Sequence, residues 1–271
     1  MLIPMFSKEQ LDRYSRHIIL KGVGAAGQKR LLDAKILVIG AGGLGSPLLM
    51  YLAAAGVGTL GIVDFDRVDL SNLQRQTLHS SARIGMLKTD SARESLLAIN
   101  PEIQLELYPS QLSSENARTI LRDYDLVIDG SDNFPTRYLV NDATFFEKKP
   151  LLYGAISQFE GQLSLFNWSL EGVQGPCYRC LFPKPPKPGT IPSCAEAGVF
   201  GALPGVIGSM MAVEAIKHVL ELGKSLAGVM LHYDSLYQEM RRVKLRQNPG
   251  CELCGKEASL TELIDYDFFC S

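Results

Sequence analysis

Hydrophobic positions along this chain change period repeatedly, and each change marks an element. Residues 8–32 carry helical spacing, with Leu11, Tyr14, Ile18 and Ile19 among charged neighbours, interrupted by glycines 22, 24 and 27. "KILVIG" (35–40) is a short β-branched run that reads as a buried parallel strand. "SPLLMYLAAAG" (46–56) predicts an apolar helix stopped by Gly56, and "TLGIVDFD" (59–66) a second strand. "KTDSARESLLAIN" (88–100) is an amphipathic helix ending before Pro101, and "EIQLELYP" (102–109) alternates like a strand. "SSENARTILRDY" (113–124) predicts a helix with a serine start, "DLVIDGSDN" (125–133) a buried strand with a polar end, and 135–148 a helix.

That alternation predicts a doubly wound α/β sheet with helices on both faces. "PLLYGAIS" and "GQLSLFN" follow as strands separated only by "QFE", so a hairpin is expected and the sheet should be mixed. Residues 168–198 lose periodicity and are dense in proline, glycine and cysteine, an irregular excursion of the kind that is functional or disordered. A helix resumes at about 205–222, and "GVMLHYDS" (228–235) is a late strand before the tail. No repeat and no long linker interrupts the chain. It reads as one domain over 1–271: an N-terminal helical segment (1–34), a nucleotide-binding half (35–134) and a mixed-sheet half (135–271).

The first strand runs into Gly40-Ala-Gly42-Gly43-Leu-Gly45, a G-x-G-x-x-G that opens a helix. Such glycines let the backbone approach phosphates where free N–H groups and the helix dipole favour an anion. Asp64 and Asp66 close the next strand, where an acidic residue takes ribose hydroxyls. The loop alone does not separate a dinucleotide from ATP. Downstream residues discriminate better. "DLSNLQRQTLH" brings Asn72 and Arg75, and Lys88 opens the following helix. A triphosphate concentrates more charge than a diphosphate and calls for such cations, often with magnesium. Asp132 and Asn133 lie at a strand's carboxyl end, where ligands bind in open sheets, and an aspartate there can hold magnesium through water. For each of these residues a solvated charge or a turn is the ordinary alternative; His79 is read as packing or capping.

Lysine and arginine number 27 against 29 acidic residues, a balance that points to neither nucleic acid nor an anionic membrane as partner. Neither a signal peptide nor an apolar run of membrane-spanning length is evident, so a cytoplasmic protein is expected. Four of six cysteines form the pairs Cys177/Cys180 and Cys251/Cys254. Two C-x-x-C pairs in a reducing compartment favour tetrahedral zinc over disulfides, with redox activity of one pair as the alternative. Filling the shell with four thiolates leaves no open position, so the zinc is structural and tethers the excursion to the tail. Cys194 has no nearby partner; it reads either as a buried thiol or as a nucleophile toward an acyl-adenylate.

Taken together, "RYSRHIIL" (13–20), "GAGGLGSP", "DFDRVDLSNLQRQTLH", "IGMLKTDSAR", "DGSDN", "PCYRC", "CAEAGVFG" and "NPGCELCG" carry a resemblance over nearly the whole chain. The chain resembles the adenylyltransferases that activate ubiquitin-like sulfur carriers for molybdopterin and thiamine synthesis, relatives of ubiquitin-activating enzymes. The resemblance implies a Rossmann-like mixed sheet, a homodimer, Mg-ATP and structural zinc. It implies attack of a carrier's C-terminal glycine carboxylate, from a Gly-Gly tail, on the α-phosphate of ATP. By the same resemblance Arg75 and Lys88 contact phosphates, Asp132 is the magnesium-linked catalytic aspartate, and Asp64, Asn72 and the loop around Gly43 form the nucleotide site. Arg16 is expected to reach the partner subunit's ATP, and Cys194 matches a cysteine that some members use covalently. "NLQRQTLH" and "NPGC" lean toward the molybdopterin branch, and a separate sulfurtransferase is expected. Two other functions stay in view: an NAD-dependent oxidoreductase on the same glycine fingerprint, and a non-enzymatic zinc scaffold.

Overall fold

The structure, a computed structural model, describes residues 6–167, 169–170, 173–187, 190 and 197–266. Helices α1 (Lys8–Arg13), α2 (Ser15–Ile18) and α3 (Gly24–Asp33) lead into β1 (Lys35–Ile39), α4 (Gly45–Ala55) and β2 (Thr59–Val63). Then come α5 (Lys88–Ile99), β3 (Gln104–Tyr108), α6 (Ala117–Leu121), β4 (Leu126–Asp129) and α7 (Phe134–Phe146). The rest comprises β5 (Leu151–Ser157), β6 (Glu160–Phe166), β7 (Ser169–Leu170), β8 (Val173–Gln174), α8 (Tyr178–Leu181), α9 (Leu203–Leu220), β9 (Val229–Asp234) and β10 (Glu239–Lys244).

Eight strands form one sheet in the order β10-β9-β6-β5-β4-β1-β2-β3. Strands β3, β2, β1, β4 and β5 pair in parallel, whereas β5–β6, β6–β9 and β9–β10 are antiparallel. The expected mixed, doubly wound sheet is therefore present, including the β5–β6 hairpin. In β1 the unbroken apolar run divides by strand period: Ile36 and Val38 enter the core under α3, α4 and α9, while Leu37 and Ile39 enter the core under α6 and α7. Both faces are covered, so no polar alternation is visible in the sequence.

Gly56 ends α4 in the left-handed region (φ 81°), as expected. A side chain there would also strike the Tyr14 ring, 2.6 Å from the ideal Cβ position. Tyr14 is buried and its hydroxyl accepts a hydrogen bond from Asn100 Nδ2 (2.9 Å). These contacts dock the N-terminal segment on the sheet domain.

Some expectations need correction. The N-terminal segment is three short helices, and the face expected to be apolar is split: Tyr14 is buried while Leu11 and Ile19 are exposed. The predicted helix at 113–124 is helical only over Ala117–Leu121, without a serine cap. Strand β10 was not foreseen, because its six residues are all exposed and mostly charged. Such a charged edge guards against further pairing. Contrary to the sequence reading, α9 is long and apolar enough in composition to cross a membrane. It packs instead on α4, β5 and β6 as a core helix.

Candidate active site

The sheet order reverses direction of winding at β1 and β4, and a cleft opens at the carboxyl ends of the parallel strands there. Its wall is supplied by Gly40, Gly42 and Gly43 after β1, by Asp64 and Asp66 after β2, by Ser110 and Gln111 after β3, and by Gly130, Ser131, Asp132 and Asn133 after β4. Arg75, Gln76, Lys88 and Arg137 complete it.

The glycine loop is held by side chains below it. Ala41 N donates to Asp64 Oδ2 (2.8 Å), and Asp66 N donates to Asp64 Oδ1 (2.9 Å). Burial pushes the Asp64 carboxyl above the usual carboxylate range, against the pull of Lys88 and these N–H groups. His79 Nε2 lies 2.9 Å from Ala41 O, and its Nδ1 lies 2.8 Å from Ser91 Oγ on α5. A carbonyl only accepts, so Nε2 carries the proton and Nδ1 accepts from the serine. Burial holds His79 below the usual histidine range, in keeping with that neutral form. Histidine here packs, as the sequence suggested. Gly45 is a close-approach position: its ideal Cβ would lie 2.0 Å from Gly40 O. It presses α4 onto the loop and does not itself line the cleft.

Charge in the cleft is concentrated and partly balanced. Lys88, with its side chain only 7% exposed, donates to Asp66 Oδ2 (2.8 Å). Arg75 also lines the cleft and donates to Ser71 O (3.1 Å). Asp132 is exposed, and Asn133 caps α7 by accepting from Thr136 N (2.9 Å). An exposed carboxylate at such a cleft could hold magnesium, which takes oxygen ligands and keeps several waters. Four buried polar atoms that find no protein partner belong to this region: Gln76 Oε1, Asp129 Oδ2, Ser131 Oγ and Arg137 Nε. Buried polar groups are ordinarily paired, so this clustering marks a site built for a polar ligand.

The second candidate centre is a cluster of four cysteines. The sulfurs of Cys177, Cys180, Cys251 and Cys254 all lie within 4.8 Å of one another. The contacts Cys177–Cys180, Cys177–Cys251 and Cys180–Cys254 measure 3.9, 3.6 and 3.2 Å. Zinc–sulfur bonds of about 2.3 Å set tetrahedral edges of about 3.8 Å, so the thiols fit zinc, and none is a disulfide. Hydrogen bonding among the thiols raises Cys177 and lowers Cys180, the sharing of charge expected where anionic sulfurs crowd together. The cluster is anchored to α7. Arg179, between the first two cysteines, makes a buried bidentate pair with Asp142 (2.8 and 2.7 Å), and Tyr178 N donates to Asn141 Oδ1 (2.8 Å).

The model of the ThiF family matches residues 14–253. The chain belongs to the ThiF family. It is 56% identical over 266 residues to the sulfur carrier protein adenylyltransferase of Thermus thermophilus, covering 98% of each chain. It is 50% identical to the probable adenylyltransferase/sulfurtransferase MoeZ of Mycobacterium tuberculosis, covering 97% of this chain and 66% of that protein. It is 47% identical to the adenylyltransferase and sulfurtransferase MOCS3 of Drosophila virilis, over 97% of this chain and 58% of that one. The chain thus spans less than two thirds of these last two relatives. Among solved structures, Escherichia coli MccB with AMPCPP and MccA superposes with a TM-score of 0.79 at 21% identity, over 92% of this chain and 75% of that chain, a likeness of fold.

In this ThiF-family chain the cleft gathers nine of the residues singled out from sequence: Gly40, Gly42, Gly43, Asp64, Asp66, Arg75, Lys88, Asp132 and Asn133. Asn72 sits in a short 3-10 turn (Leu70–Asn72) and does not line the cleft; its amide donates to Ser71 Oγ (3.4 Å). Arg16 is exposed on α2, also away from the cleft of its own chain. Cys194 lies outside the described residues. Sequence reasoning missed Gln76, Ser131 and Arg137. A signal existed for Arg137: Asn133 and Pro135 mark a helix start, so a residue one turn further faces the same end as the cap.

Proposed function

We propose that this chain transfers AMP from ATP to the C-terminal carboxylate of a ubiquitin-like sulfur-carrier protein, in molybdopterin or thiamine biosynthesis. A carboxylate oxygen forms a bond to the α-phosphorus, the α–β phosphoanhydride bond breaks, and pyrophosphate leaves with the bonding electron pair. The observation that carries the reading is one cleft with a glycine loop, Lys88, Arg75 and the exposed Asp132. The names of the relatives support it and favour nucleotide transfer over hydride transfer on the same loop.

The residues suit the chemistry. Two anions must approach each other, and fixed cations and dipoles offset that repulsion without reorganising during the step. Lys88 is pre-positioned by Asp66, and the loop N–H groups are pre-positioned by Asp64 and His79. Asp132 would hold magnesium, which when bound neutralises phosphate charge. Zinc in the four-cysteine cluster would serve structure. The exposed Leu11, Ile19 and Leu20 around Arg16 support a homodimer in which Arg16 reaches the partner's nucleotide. A cytoplasmic location and a separate sulfurtransferase complete the reading, along with acyl-adenylate capture by Cys194 where a thiol is needed.

The test is exchange of labelled pyrophosphate into ATP with a sulfur carrier ending in Gly-Gly. Carrier-dependent exchange is expected. No exchange with any such carrier, alongside nicotinamide dinucleotide binding, would replace this reading with the oxidoreductase one.

A further inference from the structure

A second cavity, of about 380 Å³, adjoins the cleft and shares Arg137 and Ile156 with it. Its wall is mostly aromatic and apolar, with Tyr138, Tyr153, Tyr178 and Phe182 among its residues, and it also carries Glu160 and Lys184. Arg137 therefore stands where an apolar passage opens into a phosphate site. It is 9% exposed, and its guanidinium carbon lies 5.3 Å from the centre of the Phe134 ring and 5.8 Å from that of Tyr153. Rings beside the guanidinium leave its N–H edge as the functional direction.

That edge is undersatisfied. Guanidinium carries five N–H donors, yet the bond described here is NH2 to Ser131 O (3.1 Å), and Nε is buried without a partner. Among the described residues, Arg137 has no ion pair within 4.0 Å; the nearby Asp129 accepts from Ser131 N on Oδ1 and leaves Oδ2 unpaired. Asp129 and Asp132 support its charge from beyond ion-pair distance, yet the buried edge still keeps a donor that only a ligand oxygen can meet. The phosphate end of the cleft already has the glycine loop, Lys88 and Arg75. An apolar approach does not suit a triphosphate but does suit an uncharged peptide segment that ends in a charge.

We propose that Arg137 receives the carboxylate of the acceptor substrate at the junction of the two cavities, orienting it toward the nucleotide. This rests on the adenylation reading above. Carboxylate is planar and takes the guanidinium fork bidentately, which fixes both position and direction of attack. Arg137 is thus a substrate-binding residue for the acceptor and not for ATP.

The experiment compares one sulfur carrier ending in Gly-Gly, prepared with a free C-terminal carboxylate or with a C-terminal carboxamide. Binding of both forms and of ATP is measured with the wild-type chain, Arg137→Gln and Arg137→Lys. The wild type should prefer carboxylate by about 10-fold to 100-fold, as a charge-assisted pair implies. Arg137→Gln should lose that preference to within about 3-fold while ATP affinity stays within about 3-fold, because the residue acts on the acceptor alone. Arg137→Lys should retain an intermediate preference, and it decides the matter if the glutamine variant does not melt cooperatively. A folded variant that keeps the full preference, or a wild type with pyrophosphate exchange but no preference, overturns the role of Arg137. A wild type without any exchange removes the adenylation reading, and this assignment with it.

Discussion

The glycine-loop cleft and the cysteine cluster solve opposite problems within one fold. The cleft is open, and its buried polar atoms point at nothing the protein supplies: Gln76, Asp129, Ser131 and Arg137 each keep an unpaired atom. The cluster is closed around itself. Its cysteines face one another, Asn248 N donates to Cys180 Sγ (3.3 Å), and the neighbouring Asp142–Arg179 pair is bidentate and buried. Unsatisfied polarity is thus concentrated at the open site, although Asn167 Oδ1, beside the cluster's anchor on α7, is unpaired as well. The two meet on α7. Its cap Asn133 and the nearby Arg137 lie at the cleft, and its second half carries Asn141 and Asp142, which hold the first cysteine pair.

The sharpest way to break the comparison is at the open site. Asp132→Ala and Arg75→Ala should each lower pyrophosphate exchange by about 100-fold or more with the melting temperature unchanged, as for loss of a preorganised electrostatic contact. Mixing Asp132→Ala with Arg16→Ala protein should restore activity through heterodimers if Arg16 acts across the interface. Confirmed subunit exchange without recovery would return Arg16 to the surface, and normal exchange in either cleft variant would remove that residue from the mechanism.

At the closed site, Cys177→Ala should lose bound zinc and make the tail sensitive to protease, yet keep ATP binding within several-fold. Asp142→Ala tests the link itself: leaving Arg179 buried and unpaired should cost about 3–5 kcal/mol. Metal analysis of the wild-type protein that finds no zinc would sink the assignment.

The smallest effect concerns the floor of the glycine loop. Burial lowers the His79 pKa, so below the ordinary histidine range the unfolded chain binds a proton that the folded chain does not. Stability contributed by neutral His79 is present above about 6.5 and falls as pH drops through the lowered value. His79→Gln should flatten that slope in denaturant titrations between about pH 6.5 and pH 5. His218, also lowered by burial, contributes to the residual slope in the same sense, and the raised carboxyls of Asp64, Asp129 and Asp142 oppose it. An unchanged slope would mean that His79 is already charged in the fold.

The parallel half of the sheet was legible because each of its elements is local: a buried apolar run, a helical period, and a glycine or polar break between them. Glycine loop, Asp64, Lys88 and Asp132 could be found for the same reason, since each lies at or near the end of a recognisable element, whereas Arg75 was singled out from the polar segment "DLSNLQRQTLH". The two C-x-x-C pairs were legible as chemistry through spacing alone. Strand β10 was not, because an exposed edge strand has no apolar face to betray it.

What the amino-acid order determined by itself is therefore the run of elements in the parallel half, the glycine loop and the four metal-seeking thiols. Tertiary structure alone decided which of those groups share a space. It brought cysteine pairs 74 residues apart into one cluster and joined five strand ends into one cleft. It also turned Arg137, an unremarkable arginine in a helix, into a buried cation between two cavities. Burial and pairing depend on what other segments deliver to the same place, and no local pattern carries that information.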